Sequence, residues 1–170
     1  MGKQIYLSQL RQNSQTIQLA VQNVPAEQAR WRPSAEEWSI LEVVNHLYDE
    51  ERRDFRVRID YTLNRPDEPW PPIDPAGWVV AEKYNERNLP ESLENFLTER
   101  QRSIEWLKSL EEVDWDTGTE APWGGIMRAG DLLASWAAHD LLHLRQINDL
   151  RYLYLRENVQ PYNVEYAGEW

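Results

Sequence analysis

Cysteine is absent from this 170-residue chain, which excludes disulfide bridges, thiolate metal ligands and any protein-borne cysteine nucleophile. Positive charge is scarce. The 18 Lys and Arg are outnumbered by 29 Asp and Glu, for a formal net charge of −11. Binding to DNA or RNA depends largely on neutralising phosphates with cationic side chains, so nucleic acid is set aside as a partner. Long apolar runs are missing too: no stretch approaches the ~20 residues needed to span a bilayer, and the opening MGKQIYLSQLRQNSQTIQ lacks the apolar core of a signal peptide. These absences lead to the expectation of a soluble cytoplasmic protein that does not engage membranes. Histidine is also rare, at three residues.

Core-forming residues are plentiful. Hydrophobic residues make up 41% of the chain and nine residues are Trp, enough for a packed core; a chain of this length fits one domain that buries roughly two-thirds of its unfolded surface. The pattern is helical. Leu7, Leu10, Ser14, Ile17, Val21 and Val24 recur at spacings of three and four, tracing one face of an amphipathic helix that Pro25 ends. After the connector PAEQARWRPSAEEWS, Ser39 stands as the N-cap of a second helix that carries Ile40, Val43, Val44, Leu47, Phe55, Ile59 and Leu63 to about residue 64. Arg52, Arg53, Arg56 and Arg58 alternate there with acids and read as a solvated face of mixed ion pairs.

NRPDEPWPPIDPAG holds five of the ten prolines and is a loop, followed by WVVAEKYNER as a short helix. A third long helix starts near Pro90, uses Leu93, Phe96, Leu97, Arg100, Ile104 and Leu107, and ends by Glu112. DWDTGTEAPWGG reads as a turn-rich crossover; Gly118 lies at the wrong offset for an EF-hand, which excludes that calcium motif. The fourth helix spans about Asp131 to Arg156 along a seam of Leu132, Trp136, His139, His143, Gln146, Leu150 and Leu153, which would place both histidines inside the bundle. The reading is an all-α four-helix bundle with a long crossover connection, one domain over residues 1–156, and a surface tail over 157–170.

His139 and His143, in AAHDLLHL, are one helical turn apart and can aim at one point. The third histidine, His46, lies in VVNHLYDEE beside Val43 and Leu47 near the inward face of the second helix. Several imidazoles buried together need partners for their nitrogens, and a divalent cation satisfies one nitrogen on each. His46, His139 and His143 are therefore the candidate metal ligands. Three protein ligands leave a coordination position open for water or substrate, and imidazole suits zinc, nickel, copper or iron alike. Neutral imidazole is the binding form, so affinity is expected to weaken below about pH 6.5. Asp49, Glu50 and Gln146 are placed to accept from the ligands' outer nitrogens, and Trp136 is placed to line the cavity. Asp140 and His143 imitate one Glu-x-x-His motif, but a ferritin-like di-metal centre needs two copies and two further Glu. No G-x-S-x-G marks a serine hydrolase.

EEWSILEVVNHL, followed about ninety residues later by AAHDLLHLRQI, resembles the DinB/YfiT-like superfamily of metal-binding four-helix bundles, over roughly residues 3 to 155. The resemblance implies His46, His139 and His143 as ligands, nickel or zinc as the ion, and a homodimer. It also implies a small-molecule substrate and, in some members, S-transfer or isomerisation with a low-molecular-weight thiol such as bacillithiol or mycothiol. Coordination would stabilise a thiolate nucleophile, and with no cysteine in the chain the thiol must arrive as a cosubstrate. A metal-dependent thiol S-transferase is the leading expectation. Hydrolysis by metal-activated hydroxide and a noncatalytic metal or small-ligand binding module are the alternatives.

Overall fold

The fold was obtained as a computed structural model that describes residues 3–170. Four long helical elements form the bundle: α1 (Lys3–Val21), a second element built of α3 (Ile40–Asp49) and α4 (Arg56–Asn64), α6 (Leu89–Ser109) and α7 (Ala129–Asn158). Shorter helices α2 (Ala26–Arg30) and α5 (Pro75–Ala81) lie in the connections. In space α1 packs along α7 and α6, α3 packs along α6, and α4 packs against α7. The first and last long helices are thus neighbours, and the connection after α6 crosses the end of the bundle.

Local chemistry explains most boundaries. Ser39 closes a full capping box: its Oγ accepts the Glu42 backbone N–H at 3.2 Å, and Glu42 Oε2 accepts the Ser39 N–H at 2.8 Å, a motif that stabilises a helix start by about 1 kcal/mol. Asn88 caps α6 through Glu91, with Pro90 in the first turn where no N–H is needed.

One expectation is corrected here. The second helix is not uniform: Glu50–Phe55 between α3 and α4 is a π-helix, with backbone bonds to the fifth residue. That insertion turns Glu50, Glu51, Asp54 and Phe55 all inward, where they are buried, so this stretch is a half-buried ion-pair seam and not a solvated face. The all-α bundle carries one small hairpin in its last crossover. β1 (Gly118–Glu120) and β2 (Ile126–Arg128) form an antiparallel hairpin with Thr119 opposite Met127. Gly124 and Gly125 turn its tip at φ +91° and +84°, a region that a Cβ disfavours. The tail after α7 lies against that helix. The Trp170 ring stacks on Tyr152 at 4.6 Å, and its Nε1–H donates to Asp149 at 2.7 Å.

The core is split into two apolar clusters. One contains Ile17, Val44, Leu47, Phe96, Leu144 and Ile147; the other contains Leu10, Phe55, Ile104, Leu107, Leu133 and Trp136. Between them lies a polar layer to which each bundle element contributes. Arg100 uses all five guanidinium N–H groups: two go to Glu51 (2.6 and 2.8 Å), two to Asp140 (2.7 and 2.8 Å) and one to the Leu10 carbonyl (2.9 Å). Asn13 donates to Asp140 at 3.1 Å, and the Trp136 indole N–H donates to Glu51 at 2.7 Å. This layer fixes the axial register of α1, α6, α7 and the π segment.

Candidate metal centre

Just beside that layer, α3 and α7 bring the three histidines together. His46 Nε2 lies 3.4 Å from His139 Nε2, and His139 Nε2 lies 3.1 Å from His143 Nε2. One ligand atom from each ring falls within 4.8 Å of the others. Three nitrogens tetrahedrally disposed around one ion with Zn–N bonds of 2.0–2.1 Å stand about 3.3 Å apart, which two of the three separations match, and the donor set suits a single first-row cation.

His46 is buried, but His139 and His143 are only partly so, which corrects the expected seam. The buried line on α7 runs through Leu133, Trp136, Ala137, Asp140, Leu144 and Ile147. The histidines flank it on the side facing α3. They form a rim, open to solvent on one side.

Burial first, and then repulsion from the His143 and His139 rings, push the His46 imidazole down to about 2. Burial, His143 and the Arg100 cation push His139 down to about 3. Burial also lowers His143, against the Gln146 hydrogen bond and the Asp140 carboxylate, which favour its protonated form. All three rings are neutral at pH 7, the state that ligates a metal. Proton competition at His46 and His139 therefore begins far below the pH 6.5 expected of an ordinary histidine.

The outer nitrogens have different partners. His143 Nδ1–H donates to Gln146 Oε1 at 2.8 Å, which leaves Nε2 facing the other rings. His46 Nδ1 faces Glu50 Oε1 at 3.6 Å, and both atoms are buried without another partner. Asp49, expected to serve a histidine, is engaged elsewhere: it accepts from Tyr84 Oη and from Arg52 at 2.7 Å. Trp136 fills the core, stacked on Phe55 at 5.5 Å with its N–H on Glu51, and does not line the histidine rim. Asp140, one half of the imitated Glu-x-x-His motif, is held by Arg100 and Asn13.

Two aromatic neighbours escape the sequence reading. Trp38 packs on His46 at 5.0 Å, and Phe55 meets the His139 ring edge-on at 5.3 Å. Trp38 occupies the position just before the Ser39 cap, where an apolar residue commonly anchors the chain's approach to a helix; that signal was available. Trp38, His143, Gln146, Leu150 and Leu153, with the acids Glu36, Glu37 and Asp149, line a groove of about 440 Å³ that opens beside the His143 ring.

Comparison with known proteins places this geometry in context. The sequence model of the DinB superfamily matches residues 9–147. No curated protein sequence matches. Among solved structures, the fold is similar to YfiT from Bacillus subtilis, described as a probable metal-dependent hydrolase with an unusual four-helix bundle topology. The TM-score is 0.78 at 19% identity, covering 88% of this chain and 86% of that one. It is also similar to a mycothiol-dependent maleylpyruvate isomerase, with a TM-score of 0.69 at 13% identity, over 92% of this chain and 67% of the other.

Proposed function

This chain belongs to the DinB superfamily, and from that premise we propose that it is a metal-dependent enzyme that transfers a low-molecular-weight thiol to a small electrophile. The observation that supports this most is the convergence of three neutral imidazole nitrogens, 3.1 and 3.4 Å apart, on a rim open to solvent. His46, His139 and His143 would hold the ion, a divalent first-row metal by the chemistry of the donor set and nickel or zinc by the family resemblance. When bound, such an ion stabilises the conjugate base of a thiol or of water at neutral pH.

The chain's own residues supply positioning. Gln146 fixes the His143 ring by its 2.8 Å bond. Trp38, Leu150 and Leu153 give the groove an apolar wall against which a small carbon electrophile can lie. With no cysteine in the sequence, the sulfur nucleophile comes from a cosubstrate; the structural similarity to a mycothiol-dependent isomerase favours that reading. Hydrolysis is the second reading, favoured by the similarity to a probable metal-dependent hydrolase.

Incubating the nickel- or zinc-loaded protein with a panel of thiols and electrophiles separates these readings. Metal-dependent thiol consumption that disappears in His143→Ala supports S-transfer. Substrate cleavage without thiol supports hydrolysis, and neither reaction in fully loaded protein points to a noncatalytic binding module.

A further inference from the structure

His46, Glu50, Asp54 and Arg58 follow one another at intervals of four residues through the π segment, and each side chain reaches the next. His46 Nδ1 stands 3.6 Å from Glu50 Oε1, the buried Glu50 and Asp54 carboxyls are close neighbours, and Asp54 Oδ1 lies 2.6 Å from Arg58 Nε. Each of the four side chains carries a buried polar atom that lacks a complete hydrogen bond: His46 Nδ1, Glu50 Oε1, Asp54 Oδ1 and Arg58 Nε. Leaving such atoms unpaired is costly. One proton shared within the line satisfies it. His46 Nδ1–H points to Glu50 Oε1, the Glu50 and Asp54 carboxyls share one proton between them, and Asp54 accepts from Arg58. That arrangement has no net charge, as a buried line requires. Its outer end is clamped, because the Arg58 guanidinium sits over the Trp70 ring at 4.9 Å and the Trp123 ring at 5.7 Å.

We propose that Asp54 and Arg58 are positioning residues for the metal centre. They hold the Glu50 carboxyl against His46 Nδ1, so that His46 keeps its proton there and presents Nε2 to the ion. The inference rests on the three-histidine reading above. The 3.6 Å separation is longer than a hydrogen bond, and a movement of about 0.5 Å converts it into one. Glu50 thereby does for His46 what Gln146 does for His143, and partners of this kind fix a ligand's tautomer and ring orientation.

The test measures zinc affinity by competition with a chromophoric chelator, alongside the His46 tautomer in metal-free protein by long-range ¹H–¹⁵N correlation. Glu50→Leu and Asp54→Leu should each weaken zinc binding about 10- to 100-fold. Glu50→Gln should stay close to the parent, since its carbonyl accepts from His46 and its amide donates to Asp54. Because Asp54 acts through Glu50, the double Leu variant should be no weaker than Glu50→Leu alone. Parent affinity in Asp54→Leu, or additive losses in the double variant, overturns the proposal. The tautomer measurement needs no variant to fold: His46 protonated on Nδ1 in the parent agrees, and protonation on Nε2 contradicts. His143→Ala, run in parallel, separates the two levels. If it binds zinc like the parent, the three-histidine reading has failed; if it loses zinc while Asp54→Leu keeps it, only the positioning role has failed.

Discussion

His46 and His139 are 93 positions apart in sequence, yet their Nε2 atoms lie 3.4 Å apart across the contact between α3 and α7. Neither ring has an opposite charge to offset the other's protonation, and burial disfavours the charged form of each. The pair is held in place by the packing of two helices and by the polar layer one turn below it. Its consequences can be measured without knowing a substrate.

Removing metal should expose a strong dependence of stability on pH. The three imidazoles are lowered in the folded state, His46 to about 2 and His139 to about 3, whereas unfolded histidine titrates near 6.5. Between those values the unfolded chain binds more protons. The stability these groups contribute is present above about pH 6.5 and is lost as pH falls toward their folded values, at about 1.4 kcal/mol per pH unit for His46 and for His139. Glu50 acts in the opposite sense. Burial, Asp54 repulsion and its hydrogen bond to Asp54 push it up to about 9, so its contribution is complete below the unfolded value near 4.5 and is lost as pH rises through about 9. Urea unfolding in EDTA from pH 4 to 9 should show a maximum near pH 6.5, and His46→Ala should flatten the acid limb. Constant stability between pH 5 and 6.5 would show that the rings are not buried neutral.

Arg100 should be the most sensitive position in the core. Arg100→Met leaves Glu51 and Asp140 as buried unpaired carboxylates, a loss of about 3–5 kcal/mol. Adding Glu51→Gln and Asp140→Asn removes those charges and should restore much of the loss. Urea midpoints of the single and triple variants provide the comparison; equal destabilisation in both would mean that uncompensated charge is not the cause.

Trp38 should report metal arrival. Its ring lies 5.0 Å from His46, so a paramagnetic ion such as nickel(II) at the rim should quench its fluorescence. Trp38→Phe should remove a larger share of the nickel-induced quenching than Trp106→Phe, a substitution on α6. Equal quenching in the two variants would place the ion away from His46.

Much of this site was legible before the fold. The four-residue spacing of His139 and His143 specifies a shared direction on any helix, and Ser39 with Glu42 announces the start of the helix that carries His46. What escaped depends on partners distant in sequence. Asp140 resembles a ligand until Arg100, forty positions away, occupies it; Asp49 does so until Tyr84 and Arg52 do. The π segment EERRDF contains no glycine or proline to mark it, and its inward turn follows from the tertiary pairing of Glu51 with Arg100. The strands GTE and IMR, three residues each, are too short for alternation to show, and Gly124–Gly125 alone signalled their turn.

Zinc stoichiometry decides whether the three rings share one ion. Equilibrium dialysis of the parent protein and of the His46→Ala/His139→Ala/His143→Ala variant at pH 7, followed by elemental analysis, should find one zinc per parent chain and none retained by the variant. A variant that is folded and still holds one equivalent would contradict the metal centre described above.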